Sequence, residues 1–561
     1  MRTCLGFLLA VPLLAWQAPP RFEITFPASL RSQAVDGRVL LILSKSEARE
    51  PRFGINDGLD SNQIFGIDAD GLRPGQAAVI DERTLGYPRE SLADVPAGDY
   101  YVQALINVYD TFHRADGHVV KLPMDEGEGQ QWSIKPGNLY STPQRVHVAP
   151  GGAVRITLDR VIPPIEPPRD TKYIRHVRIE SKLLSKFWGR PMYVGAIVLL
   201  PEGFDEHPEA RYPVMYNQGH FPRTFGGFRT EPPAPDMTGP ARVAAEYAYK
   251  FYQDWTSGRL PHMLIVLTQH ANPYYDDSYA VNSANVGPYG DALTQELYPY
   301  VEKKFRAIGE PWARILYGGS TGGWEALAQQ VFYPDFYNGA WCNCPDPVDF
   351  HAYQMVNLYD DRNAYLSIGP WKSVPVPAHR AADATVVSMM EDANRMELVL
   401  GTRGRSAEQF DIWQAVYSPV GEDGYPQPIY DKRTGAIDHK VAEYWREHYD
   451  LTDILRRNWA TLGPKLVGKI HVKVGDADSY YLERAVRLLQ QFLESTKLPG
   501  KGPYYAGDFE YGPGAPHCYS GDPSVPVSIS GRTLNQRLMP QVLDWMLKTA
   551  PPGADVKSWR Y

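Results

Sequence analysis

Cysteine is scarce in this chain, at 4 of 561 residues, and long apolar runs are missing. So few cysteines exclude a small disulfide-stapled scaffold, which needs cross-links where its core is too small. No stretch approaches the ~20 apolar residues of a membrane helix, so no span is expected. A basic excess is absent too: 57 Lys and Arg face 65 Asp and Glu, for a formal charge of −8. Without a basic patch the chain lacks the electrostatic footprint of nucleic-acid binding. Cys342 and Cys344 have no matching second pair of ligands, so no zinc site is expected, nor any organic cofactor.

What is present belongs to a globular protein, with 43% hydrophobic and 22% charged residues. At this length two or three domains are expected. Residues 1–18 read as an export signal: Arg2 gives the positive start, Leu5 to Leu14 the short apolar core, and Ala15 and Ala18 the cleavage region. Pro19-Pro20 ends the stretch. The expected destination is periplasmic or extracellular, and removal of the signal leaves Cys342, Cys344 and Cys518.

Residues 19–162 alternate as strands do, clearest at Phe22–Phe26, Val39–Leu43, Tyr100–Val108 and Val154–Leu158, and predict an all-β, sandwich-like module. Pro163-Pro164-Ile165-Glu166-Pro167-Pro168 cannot join a ladder or helix, so 163–171 predicts a stiff linker. From 172 to 550 the pattern changes. Val177–Ser181 and Met192–Leu200 predict an antiparallel pair, after which short apolar strands alternate with helices such as Asp291–Phe305. Such alternation predicts an α/β fold with a doubly wound, mostly parallel sheet. Residues 346–465 interrupt it over a length no simple connection needs, and Ala382–Leu400 and Lys440–Asn458 suggest an inserted helical cap.

Gly318-Gly319-Ser320-Thr321-Gly322 follows an apolar strand and precedes a helix-like run. A nucleophilic serine needs small neighbours, because it sits on a strained strand-to-helix turn that lifts its oxygen clear of the sheet. Ser320 is therefore the candidate nucleophile. Its hydroxyl also needs a base, oriented by an acid. In the chain order this arrangement imposes, the acid follows Ile470–Val474, where Asp476 and Asp478 compete, and the histidine follows the next strand, at His517. The amides of Thr321 and of Gly219, in the loop Asn217–Phe221, are the candidate oxyanion donors. His220 is set aside as a packed or solvated side chain.

These residues resemble the Putative esterase family of α/β-hydrolases, which includes esterase D, enterobactin esterases and feruloyl esterases. The resemblance rests on Tyr212–Tyr216 leading into Gln218-Gly219, on Gly318–Gly323, and on Gly290–Leu293 continuing to Pro299–Glu302. It implies an α/β-hydrolase fold and an acid three residues after a glycine, which selects Asp478. Gln218 stands where relatives often carry histidine, which puts side-chain help there in doubt. Because loops converge at this sheet edge, a Cys344–Cys518 bridge that pins the histidine loop stands as an alternative to two buried thiols.

The expected function is a serine esterase that cleaves a small-molecule or carbohydrate-linked carboxylic ester through an acyl-enzyme, with Ser320, Asp478 and His517 as triad. An acyltransferase on the same fold, and an inactive carbohydrate-binding relative, are the alternatives. Oligomeric state is not encoded in any of these patterns.

Overall fold

The computed structural model describes residues 19–129, 131–523, 526 and 537–561, so the expected signal segment 1–18 lies outside the described residues. From residue 174 to residue 512 the chain contributes the strands of one eight-stranded sheet. Its strands are β1 (Ile174–Glu180), β2 (Tyr193–Leu199), β3 (Val214–Gln218), β4 (Leu264–Gln269), β5 (Arg314–Gly319), β6 (Ala340–Asn343), β7 (Ile470–Gly475) and β8 (Asp508–Gly512). They lie in the order β1-β2-β4-β3-β5-β6-β7-β8. β2 runs antiparallel to β1 and β4, and every later neighbour is parallel. The central strands are buried on both faces, so they read as continuous apolar runs rather than alternating ones. This is an α/β architecture.

Among the described residues the eight longest helices are α1 (Gly239–Thr256), α2 (Thr321–Phe332), α3 (Met390–Leu400), α4 (Gln409–Tyr417), α5 (His439–His448), α6 (Leu451–Leu466), α7 (Glu483–Ser495) and α8 (Leu538–Thr549). α3 to α6 fall between β6 and β7, together with the hairpin of Pro377–Arg380 and Val386–Met389. The first half of the expected helix 382–400 is thus a strand. Val386-Val387 is β-branched and stiff, and helix begins only at Met390, where Asp392 turns back to the Met389 amide. The segment expected as one helix at 291–305 contains a π-type stretch, Leu293–Leu297. Residues 534–536 of the last expected helix lie outside the described residues.

Before β1 the chain is β-rich. Most strands between Arg21 and Val161 form a three-stranded and a seven-stranded sheet around one core that includes Phe22, Leu41, Phe65 and Ile106. The hairpin of Asp110–His113 and Val119–Leu122 instead packs Phe112, Val120 and Leu122 into the core of the eight-stranded sheet. Residues 162–171 carry no regular structure. In the strand Val35–Ser44 the alternation of a half-buried strand is absent because both faces are covered. Val39, Leu41 and Leu43 face the module's core, while Leu40 and Ile42 pack with Met396, Val399 and Leu400 of α3. Arg38 stitches the same contact. Its guanidinium donates to the carbonyls of Val399 at 2.8 Å and Leu398 at 3.1 Å, and to Asp68 at 3.1 Å. A cation at the C-terminal turn of α3 satisfies carbonyls that the helix itself cannot.

Asp68 is one-third exposed, so solvent screens its share of the pairing, and the larger loss on removing Arg38 is the two stranded carbonyls. Arg38→Leu is expected to lower stability by about 2 kcal/mol, read as a lower midpoint of urea unfolding at unchanged slope.

Candidate active site

The site is built outward from the turn between β5 and α2. β5 pairs with β3 so that Gly318 lies opposite Gln218. The chain must leave the sheet there and start a helix directly above β3. A Cβ on Gly322 would meet the Gln218 carbonyl oxygen at 2.1 Å and the Gly219 nitrogen at 2.9 Å, so no side chain fits. Ser320 takes up the remaining strain, at φ 58° and ψ −124°. Its carbonyl and amide are both engaged, with Ser320 N–H donating to Asn343 O at 3.0 Å and Gly323 N–H to Ser320 O at 2.9 Å. A non-glycine residue held at positive φ costs energy and persists only where neighbours over-determine it.

The structure brings Ser320, His517 and Asp478 together. His517 Nε2 lies 2.9 Å from Ser320 Oγ, and His517 Nδ1 lies 2.8 Å from Asp478 Oδ2. Asp478 is fully buried, and its second oxygen accepts the Tyr480 N–H at 2.9 Å. Burial would make the imidazole less basic, but the Asp478 carboxylate outweighs it and holds His517 well above the ordinary histidine range. Asp476 is exposed and takes another part: its Oδ1 accepts the Gly514 N–H at 2.6 Å, which braces the loop carrying His517.

The insertion after β6 reaches these loops. Arg380 donates to the Asp478 carbonyl at 2.9 Å and pairs with Glu483 at 2.8 Å. His379 stacks on Tyr480 with centroids 4.9 Å apart, and Tyr480 meets the His517 ring edge-on at 4.9 Å. Ser388, on the same hairpin, donates to Asp57 of the β-rich module at 2.6 Å. No composition or spacing rule reveals this chain of contacts, because its members lie between 37 and 331 residues apart.

Gly219 adopts φ 144°, which side-chain-bearing residues avoid, and Gly322 packs against its amide. Thr321 is the first residue of α2, so its N–H belongs to the turn that has no intrahelical acceptor. Thr321 thus directly follows the serine, and the Gly219 nitrogen lies against Gly322, two residues beyond it. The Gln218 side chain points the other way: its Nε2 donates to Tyr298 OH at 2.7 Å and Gln329 Oε1 at 3.2 Å, buried beneath the turn. Side-chain help from this position is absent.

Two groups stand beside Thr321: His220, which sequence reasoning sets aside as packed or solvated, and Asp346, which it does not single out. His220, whose side chain is about half exposed, sits 3.1 Å from Asp276 and 3.2 Å from Asp277, with Nε2 3.5 Å from Thr321 Oγ1. Desolvation opposes its charge, but the two carboxylates prevail and raise it well above the usual histidine value. Asp346, just past β6, accepts from Thr321 Oγ1 at 3.1 Å and Tyr279 OH at 2.6 Å. The one available signal for Asp346 is its place between Pro345 and Pro347 at a strand end.

Cys344 and Cys518 lie with His517 in one cluster whose polar atoms fall within 4.8 Å of each other. No disulfide joins the two sulfurs, so of the two alternatives the structure carries thiols. Contact with Cys344 and with the His517 imidazole pulls the Cys518 thiol below its ordinary range.

Residues 189–448 match the sequence family described as Putative esterase. The match contains Gly219, Ser320 and Thr321, runs into the insertion, and ends before Asp478 and His517. No curated protein matches the chain. Among solved structures it is similar to a ferulic acid esterase, at 17% identity and a TM-score of 0.34, covering 66% of this chain and 98% of that one. An S-formylglutathione hydrolase from Agrobacterium tumefaciens gives 12% identity and a TM-score of 0.34, covering 68% and 97%. A fluorophosphonate-binding serine hydrolase of Staphylococcus aureus gives 14% and 0.33, covering 66% and 98%.

Gly322→Ala is expected to force the start of α2 away from β3 and to lower stability by about 1–3 kcal/mol, measured by thermal unfolding.

Proposed function

We propose that this chain, whose residues 189–448 match the Putative esterase family, is a serine esterase of the α/β-hydrolase fold that works through an acyl-enzyme. The observation that carries the reading is the continuous Ser320–His517–Asp478 relay, with contacts of 2.9 and 2.8 Å. Ser320 Oγ attacks the ester carbonyl as His517 Nε2 takes its proton. Asp478 keeps the imidazole in the tautomer that presents Nε2 and stabilises the cation that forms. The Gly219 and Thr321 amides receive the oxyanion, in a turn that is already strained into place and needs no reorganisation. His517 then protonates the leaving alcohol. Water, activated by the same imidazole, attacks the acyl-serine and releases the acid.

The two aspartates of the β7 loop have separate parts in this reading. Asp478 is the acid of the relay, whereas Asp476 only braces the Gly512–His517 loop. The insertion is a cap that clamps the acid loop through Arg380, and the β-rich module, a sandwich-like domain spanning 19–162, buttresses that cap. The linker 163–171 joins it to the esterase domain, 172–550. Residues 1–18 direct export to the periplasm or beyond.

Ser320→Ala is expected to remove hydrolysis of a short nitrophenyl ester while the protein keeps its circular dichroism, and retained turnover would overturn the reading. Asp478→Asn is expected to lower kcat roughly ten-thousand-fold, with Asp476→Asn falling far less. The pH dependence follows from the imidazole. Only neutral His517 accepts the serine proton, and Asp478 holds its pKa up, so kcat/KM should be low in acid and rise through a midpoint above 6.5. Asp478→Asn should move that midpoint down.

A further inference from the structure

Asp346 takes no part in the relay, since His517 Nδ1 is already held by Asp478. Yet it is fixed to the nucleophile's turn: its N–H donates to the Ser320 carbonyl at 3.2 Å. The residue is only 4% exposed. Four side chains donate to its carboxylate, and all reach the same oxygen. Tyr279 OH lies 2.6 Å from Oδ2, Thr321 Oγ1 3.1 Å, Trp413 Nε1 3.3 Å and Gln409 Nε2 3.4 Å. Oδ1 accepts from none of the described residues, and it is not among the polar atoms sealed from solvent.

A buried carboxylate is costly unless its lone pairs are used. Here one oxygen is locked by four donors and fixes the orientation of the group, while the other keeps its lone pairs unused on a residue whose own N–H holds the Ser320 carbonyl. That is how a protein builds a rigid acceptor for a ligand's donor. The anchoring set also indicates which half of an ester would meet it. His517 must face the leaving alcohol in order to protonate it. Asp346 is bonded instead to Thr321, whose amide holds the carbonyl oxygen, and to Tyr279 and α4 beyond it. The Asp346 carboxylate itself opposes a substrate carboxylate at this oxygen, whereas a hydroxyl or ammonium donor gives it the hydrogen bond it lacks.

We propose that Asp346 Oδ1 accepts a hydrogen bond from a donor on the acyl half of the ester, one or two bonds from the scissile carbonyl. The acyl group is therefore hydroxylated or aminated next to the carbonyl rather than a bare alkyl chain. This inference rests on the ester-hydrolase reading and adds the substrate class.

The test compares kcat/KM by pH-stat for ethyl propionate, ethyl lactate and ethyl alaninate, each against spontaneous hydrolysis, in wild type and Asp346→Ala. A lactate or alaninate preference over propionate of about 10- to 100-fold is expected in wild type, shrinking to within about threefold in the variant. Whichever of the two donors is preferred identifies hydroxyl or ammonium. The ratio does not depend on how much variant folds, because both rates scale with the same active fraction. Equal turnover of all three esters by wild type would overturn the proposal, as would a ratio that survives in Asp346→Ala. So would a preference found only when the hydroxyl is moved to the alcohol half, in hydroxyethyl propionate. In each of those cases ester hydrolysis itself persists. Wild type that cleaves no ester at all would instead overturn the hydrolase reading, and this inference with it.

Discussion

The contact between the first turn of α2 and the end of β3 governs the rest of the site. Parallel pairing sets Gln218 beside Gly318, and the helix that leaves β5 has nowhere to go but back across its neighbour. That crossing is possible because residue 322 has no side chain to strike the 218–219 peptide. Once it is made, three things happen together. Ser320 is driven into positive φ, the Gly219 nitrogen lies against Gly322, and the Gln218 side chain is turned down into the core. Positioning of Ser320 and of the Gly219 backbone is thus one steric event rather than several independent ones.

The outer parts of the molecule bear on the same place from the other side. The hairpin of the insertion holds the acid loop by Arg380 and lays His379 against Tyr480, which in turn borders the His517 ring. Asp57 of the β-rich module holds that hairpin at Ser388, and Arg38 caps α3 a short way off. The module therefore does not sit apart on its linker. Apolar contact through Leu40 and Ile42, and polar contact through Arg38 and Asp57, join it to the insertion. Strain is gathered around the site as well: Tyr279, Ser320, Cys344, Tyr481 and Cys518 all have positive φ. Backbone held in this region signals surroundings rigid enough to keep side chains in one arrangement.

Much of this is legible from short stretches of sequence. Apolar runs bounded by Gly and Pro mark the strands of the large sheet, since strands buried on both faces need apolar residues at every position. Ser320 stands out because a strained turn permits only small neighbours, and His517 because the loop after β8 offers one histidine. Val35–Ser44 is recognisable as a strand, but the reason for its unbroken apolar run, a helix from far along the chain lying on its outer face, is hidden. The pattern of 382–389 predicts helix where a β-hairpin forms, because the partner strand that stabilises Val386–Met389 and the Asp57 contact below it are not local properties.

The sequence by itself determined the class of fold, and it pointed to Ser320, to the Gly219 and Thr321 amides and to His517 as candidates. Each of these depends on local backbone geometry or on the periodicity of burial, which a few neighbouring residues specify. The residues alone left Asp476 and Asp478 in competition, and only the family resemblance favoured Asp478. The tertiary structure shows why, since two aspartates two residues apart are chemically identical until a fold buries one of them. Tertiary structure alone brought Asp346, 25 residues on, and His220, 101 residues back, to the Thr321 hydroxyl, since a hydrogen bond between residues so far apart leaves no periodic trace in the chain.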